Sequence, residues 1–219
     1  MLSSIKEFGM AHNLTQANEF IPRELIALTH QVVTPEQFEQ LCIEYDELRL
    51  ELTSTGELIV MPGTGGKTGA RNALLTIQLG VWTINDGTGI SFDSSTTFAL
   101  PNGARRMPDG SWVKRERWDS LTEQQQEGFA PICPDFVVEL RSPTDRLAQV
   151  RLKMLEYLDN GASLGWLIDP FDRRVYVYQP DREVVILENP EAVSGDPILP
   201  GFTLNLTKVW GQDPQDLQD

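Results

Sequence analysis

Pro134-Asp135-Phe136-Val137-Val138-Glu139-Leu140-Arg141-Ser142 reads as a strand with one carboxylate in its middle. Side chains alternate along a strand, so Phe136, Val138 and Leu140 share one face and Val137, Glu139 and Arg141 the other. A carboxylate in so apolar a strand is costly to bury unless it is paired or binds a cation. A Glu139–Arg141 pair, or a solvated strand edge, would serve as well. Asp109, between Pro108 and Gly110, opens another strand, although aspartate in that setting is also what an ordinary turn contains. Lys153 lies on the helix after the Glu139 strand, beside Val150 and Tyr157. It sits roughly 130° from the centre of the expected apolar stripe of Leu147, Met154, Leu155 and Leu158. Taken alone, it reads as an exposed helical lysine. Together the three residues suit one task. Two carboxylates on neighbouring strands can hold a hard cation, Mg²⁺ or Mn²⁺, which takes oxygen ligands at about 2.0–2.1 Å and keeps several waters. Such a cation polarises a phosphodiester and lowers the pKa of an attacking water. An ammonium nearby orients that water or offsets developing charge.

The elements that must position these groups are legible in outline. Thr34-Pro35-Glu36-Gln37 opens a helix running to about Asp46 and burying Phe38, Leu41 and Cys42. Before it, residues 1–33 show no clear element. Leu48–Leu52 and Glu57–Met61, joined by Thr53-Ser54-Thr55-Gly56, read as a hairpin. A glycine-rich loop from Pro62 to Gly69 leads into a helix over Ala70–Asn85, with Leu74, Ile77, Val81 and Ile84 as its buried stripe. Ile90–Phe92, Thr97–Leu100 and Arg106–Val113 are expected as strands, Leu121–Gly128 as a short polar helix and Asp135–Arg141 as a strong strand. A helix over Thr144–Asn160 stops at Gly161. The strands Gly165–Ile168, Val175–Tyr178 and Val184–Leu187 follow, and Ile198–Trp210 closes the fold. The order predicts an α/β protein with a mixed sheet flanked by helices, not a repeating barrel.

A chain of 219 residues, 40% hydrophobic and 23% charged, can bury about 70% of its unfolded surface and needs no staples. Cys42 and Cys133 are too few for a disulfide framework or a cysteine-rich zinc site, and His12 and His30 are a poor basis for a histidine site. Met1–His12 carries Lys6 and Glu7 without an apolar run, and no segment approaches the ~18 apolar residues that span a bilayer. A cytoplasmic location with no membrane contact is the expectation. The net charge of −14 argues against non-specific coating of nucleic acid. Yet nine of the 18 basic residues lie between Arg105 and Lys153, so a local basic face on an acidic body is one reading and scattered surface charge the other.

At this point the chain resembles the Uma2 family of the PD-(D/E)XK restriction-endonuclease-like superfamily. The likeness runs from about Glu47 to Trp210. It is carried by Gly56-Glu57-Leu58, Thr68-Gly69-Ala70-Arg71-Asn72, Phe92-Asp93-Ser94-Ser95, Pro108-Asp109 and Arg115-Glu116-Arg117-Trp118. It continues through Pro134–Pro143, Lys153 with Tyr157, and Gly165-Trp166-Leu167-Ile168-Asp169-Pro170. The resemblance implies a restriction-endonuclease-like core with an N-terminal helix and hairpin extension. It further implies Mg²⁺ (or Mn²⁺) ligation by Asp109 and Glu139, catalysis by Asp109, Glu139 and Lys153 with Arg141 and Tyr157 in support, and DNA as substrate. A nuclease-fold binding protein without cleavage is the alternative. Two departures stand out. The superfamily places lysine two residues after the glutamate, where this chain has Arg141, and Lys153 reads as the displaced replacement. The helix before the sheet has no acidic residue between Thr68 and Asn85, with Leu74 where similar proteins carry glutamate. The expected organisation is an extension over 1–46, the nuclease-like α/β domain over 47–211 and an acidic tail over 212–219.

Gly63-Thr64-Gly65-Gly66-Lys67-Thr68-Gly69 is a decoy for a P-loop: counting back from Gly66-Lys67 puts Met61 at the first glycine. Its backbone N–H groups, with Lys67 and Arg71, remain candidates for binding a nucleic-acid phosphate. The five tryptophans read as packing residues. The hairpin Gly165–Tyr178 and the strand Val184–Leu187 are expected to form a homodimer surface.

Overall fold

A threonine followed three residues on by glutamine can satisfy two of the free N–H groups at a helix start. Thr34 and Gln37 do so: Thr34 Oγ1 accepts from Gln37 N–H at 3.3 Å and Gln37 Oε1 from Thr34 N–H at 2.9 Å. The computed structural model describes residues 21–61 and 63–211. The expectations for residues 1–20, including His12, for Pro62 and for the tail 212–219 lie outside the described residues. The chain divides into two units, the first made of residues up to Gly63 with Gly103–Arg105, the second of Thr64–Asn102 and the chain from Arg106 on.

In the first unit, α1 (Arg23–Leu28) is a helix that the sequence reading lacks. It has six residues and buries only Leu25, too short for a periodic pattern to emerge. Helix α2 (Pro35–Glu44) buries Phe38 and Leu41, whereas Cys42, expected inside, is only half-buried. Strands β1 (Arg49–Leu52) and β2 (Leu58–Met61) pair antiparallel with Arg49 opposite Met61 and Leu52 opposite Leu58. Their turn requires Gly56: its φ is +83°, and a Cβ there would stand 2.7 Å from Val32 Cγ1.

In the second unit, α3 (Gly66–Asp86) begins four residues before the expected Ala70, so Lys67, Thr68 and Gly69 are helical. Its buried stripe is Thr68, Asn72, Leu75, Leu79 and Thr83. The stripe expected from Leu74, Ile77, Val81 and Ile84 is therefore corrected: Ile77, Val81 and Ile84 are 60%, 56% and 82% exposed. Both sets recur at helical spacing, and only the neighbouring sheet decides between them. After β3 (Gly89–Phe92) and β4 (Phe98–Ala99), the strand expected over Arg106–Val113 proves to be two, β5 (Arg105–Arg106) and β6 (Gly110–Lys114). Pro108 lies in the break, as its missing N–H and fixed φ would suggest.

Short helices α4 (Arg115–Asp119) and α5 (Glu123–Glu127) lead to β7 (Phe136–Leu140), α6 (Leu147–Asp159) and β8 (Leu164–Asp169). The sequence reading lacks α4. Next come β9 (Arg174–Tyr178), β10 (Val185–Glu188), β11 (Ala192–Ser194), β12 (Thr203–Asn205) and α7 (Thr207–Trp210). The last two replace the single closing segment expected over Ile198–Trp210, and β11, which lies before it, is a strand without a counterpart among the expected elements.

The main sheet runs β10-β9-β8-β7-β6-β3, and β7–β8 is its one parallel pair. A parallel pair needs a crossover, which α6 supplies. The sheet is mixed, as the element order predicted. Phe136, Val138 and Leu140 of β7 join Leu75 and Leu79 of α3 and Trp166 of β8 in one apolar core. Trp166 is fully buried, edge-on to Phe136 at 4.8 Å and stacked on Phe202 at 5.9 Å. Val137 and Glu139 point the other way. On that face Gly165 makes room for α6: a Cβ would meet Met154 Cε at 2.5 Å. The buried residues of α6 are Met154 and Tyr157. Leu155, expected in the stripe, is 44% exposed, because the helix turns the Lys153–Tyr157 side toward the sheet.

Candidate active site

Asp109 follows the Pro108 break and precedes Gly110, the first residue of β6. Gly110 stands opposite Val138 in the β6–β7 register, so the chain just before it comes level with Glu139 and Leu140. Gly110 must lack a side chain there, since a Cβ would lie 2.7 Å from Leu75 Cδ2. Asp109 is held at both oxygens. Oδ2 accepts from the Leu140 N–H at 2.8 Å and Oδ1 from Asn72 Nδ2 at 2.9 Å.

Glu139 is 7% exposed. Its Oε1 accepts from Lys153 Nζ at 2.8 Å and from the Tyr157 hydroxyl at 3.0 Å. Lys153 and Tyr157 are four residues apart on α6 and so share one face. The lysine's ammonium lies 3.5 Å from the Met107 carbonyl oxygen and 5.9 Å from the centre of the Tyr157 ring. With its side chain 15% exposed, Lys153 points into the site, not along its border.

The structure thus draws Asp109, Glu139, Lys153 and Tyr157 together from a strand entry, a strand and a helix. The other candidates sit elsewhere. Arg141 donates through Nη1 to Asp169 Oδ2 at 2.7 Å and stacks over Phe171, its carbon 5.3 Å from the ring centre. Asp169 is fully buried, and Arg141 is its counter-charge. Lys67 is exposed in the first turn of α3, and Arg71 Nε donates to the Val209 carbonyl at 2.8 Å. Of the nine basic residues between Arg105 and Lys153, five are in ion pairs: Arg105 with Glu39, Arg106 with Glu156, Arg117 with Asp135, Arg141 with Asp169 and Lys153 with Glu139. The concentration of positive charge seen in the sequence is largely neutralised in the fold.

Sequence reasoning missed Asn72, which meets Asp109 from α3. A signal existed: Thr68, Asn72, Leu75 and Leu79 follow helical spacing as well as the aliphatic set does, and a polar residue within an inward stripe calls for a partner.

Among the described residues no group of three or more His, Cys, Asp or Glu could hold a metal. Cys133 is no ligand: burial pushes its thiol up to about 12, and its Sγ faces the Tyr157 carbonyl at 3.4 Å. The donors present do fit a hard cation that keeps most of its waters and needs one or two carboxylates. Besides Asp109 and Glu139, the Asn72 side-chain oxygen is buried without a hydrogen-bond partner.

Residues 35–207 match the model of the family described as "Uma2: Putative restriction endonuclease". The chain belongs to the Uma2 family. No curated protein matches it. Among solved structures, one described as a putative nuclease belonging to DUF820 from Anabaena variabilis ATCC 29413 superposes with a TM-score of 0.70 at 22% identity, over 81% of this chain and 97% of that one. That likeness shows that the Uma2 chain shares the fold of that protein, a mixed sheet flanked by helices. Among the described residues no helix is long and apolar enough to cross a membrane.

Proposed function

We propose that this Uma2 chain is a metal-dependent endonuclease that hydrolyses DNA phosphodiester bonds at Asp109, Glu139 and Lys153. One observation carries the reading: Lys153 and Tyr157 converge on a single oxygen of Glu139, while Asp109 is pinned to the amide of the next residue, Leu140. Asp109 and Glu139 would hold Mg²⁺ or Mn²⁺. The bound cation would polarise the scissile phosphate and lower the pKa of the attacking water. Lys153, released from Glu139 once that carboxylate has a cation to bind, orients the water and offsets charge on the phosphate. Tyr157 keeps Glu139 in its rotamer by donating to Oε1. A cytoplasmic location and a homodimer through the edge strand β10, where Val185 and Ile186 are 55% and 48% exposed, belong to the same proposal. The dimer is tested by light scattering: Ile186→Lys should halve the mass, and a monomeric wild-type protein would remove it.

A second reading, a nuclease-fold DNA-binding protein without cleavage, is favoured by the pairing of Asp109 at both oxygens and by the absence of an acidic residue on α3 between Thr68 and Asn85. Nicking of supercoiled plasmid separates the two. Cleavage should need Mg²⁺ or Mn²⁺, stop in EDTA, and fall at least about 10²-fold in Glu139→Ala and Lys153→Ala. Its decline with rising salt should be shallow, since the slope grows with the number of phosphate contacts and five of the nine basic residues between Arg105 and Lys153 are taken up in ion pairs. Cleavage that survives both substitutions rules out this active site, and metal-dependent DNA binding without cleavage selects the second reading.

A further inference from the structure

Asn72 is an unfavourable residue where it stands. Asparagine is a poor helix former, and this one is only 8% exposed within the inward stripe of α3. Half of its amide is accounted for, because Nδ2 donates to Asp109 Oδ1 at 2.9 Å. That bond also sets the amide's orientation, since turning it over would place oxygen against a carboxylate oxygen. The other half is not. Oδ1 is buried with no hydrogen-bond partner, although buried carbonyl oxygens are nearly always satisfied. It lies on the same side chain that grips Asp109, one of the two carboxylates proposed to hold the cation.

We infer that Asn72 Oδ1 is a third protein ligand of the divalent cation held by Asp109 and Glu139. The inference rests on the metal-dependent reading above and assigns α3 a part in the site. Amide carbonyl oxygen is a suitable donor for Mg²⁺ or Mn²⁺. Being neutral, it adds a ligand without adding a third carboxylate beside Asp109 and Glu139, which would repel one another before the cation arrives. The same amide then has two roles: its N–H group steers Asp109, and its oxygen completes the coordination.

The test is Mn²⁺ titration of the full chain, following free Mn²⁺ by electron paramagnetic resonance, with thermal melts of each protein in EDTA and in Mn²⁺. Wild type should bind Mn²⁺, with binding reduced in Asp109→Asn. Asn72→Ala should weaken it about 10–100-fold and shrink the metal-induced rise in Tm. Asn72→Asp is the decisive variant because it keeps the oxygen and loses the N–H donor. Ligation predicts Mn²⁺ affinity at or above wild type for Asn72→Asp; a role confined to steering Asp109 predicts weakening as severe as in Asn72→Ala. Weakened binding in Asn72→Asp, or unchanged binding in Asn72→Ala, overturns the inference while the metal site stands. Wild type that binds no Mn²⁺, or binds it equally well as Asp109→Asn, overturns the metal-dependent reading and this inference with it. Should Asn72→Ala fail to fold in EDTA, Asn72→Asp alone still gives the sign that decides.

Discussion

Replacing Lys153 with methionine should abolish plasmid nicking and lower stability by about 3–5 kcal/mol, the usual cost of stranding one member of a buried ion pair. The two side chains are 15% and 9% exposed and meet at 2.8 Å, so water can do little to solvate Glu139 once the ammonium is gone. The Tyr157 hydroxyl would remain on Oε1, and a neutral hydroxyl does not balance a charge. In a domain of this size the loss corresponds to a fall in Tm of roughly 6–20 °C. The double variant Lys153→Met/Glu139→Gln should regain most of the stability, because a buried pair exchanged for neutral groups of similar volume is often tolerated. Its activity should stay absent. Stability and catalysis would then separate in one cycle of four proteins, measured by urea unfolding and nicking. Two results would count against the account: a double variant as unstable as the sum of the singles, or a Lys153→Met protein that nicks at the wild-type rate.

The second large effect concerns the core that holds β7 in place. Trp166→Ala should destabilise by about 3–5 kcal/mol, the range for truncating a large buried aromatic. Trp166 is fully buried between Phe136 and Phe202, at 4.8 Å and 5.9 Å, and neither ring can close the gap without leaving its own packing. Well below its lowered Tm the variant should still bind Mn²⁺, because Trp166 faces the apolar core and Glu139 the opposite side of the sheet. Calorimetry with a metal titration at 10 °C would check both halves. Loss of metal binding in the folded variant would show that the two faces are coupled more tightly than a rigid sheet implies.

Which groups could meet was readable only in part before the fold was known. The strand character of β7, its alternation and the isolated Glu139 follow from local chemistry, and so do the Thr34–Gln37 capping box and the Gly56 turn. Each depends on residues within a few positions of one another, where backbone geometry leaves few choices. The rotation of α3 was not readable, because its sequence offers two inward stripes and the periodicity of 3.6 serves both. The sheet chose the one with Asn72, Leu75 and Leu79, where Asp109 supplies a partner for the amide and Gly110 gives room for Leu75.

The same division holds for the charges. The amino-acid sequence alone determined that an α/β nuclease-like fold with a mixed sheet would form, and it marked Asp109, Glu139 and Lys153 as residues able to work together. It could not determine what else each would touch. Arg141, two residues after Glu139, is taken by Asp169, and five of the nine clustered cations are neutralised by carboxylates from distant parts of the chain. Pairing of that kind depends on distance in space and on how little water remains, and neither is written into the order of residues. Only tertiary structure turned Lys153 from the border of its helix face onto Glu139, and only it left one oxygen of Asn72 buried without a partner.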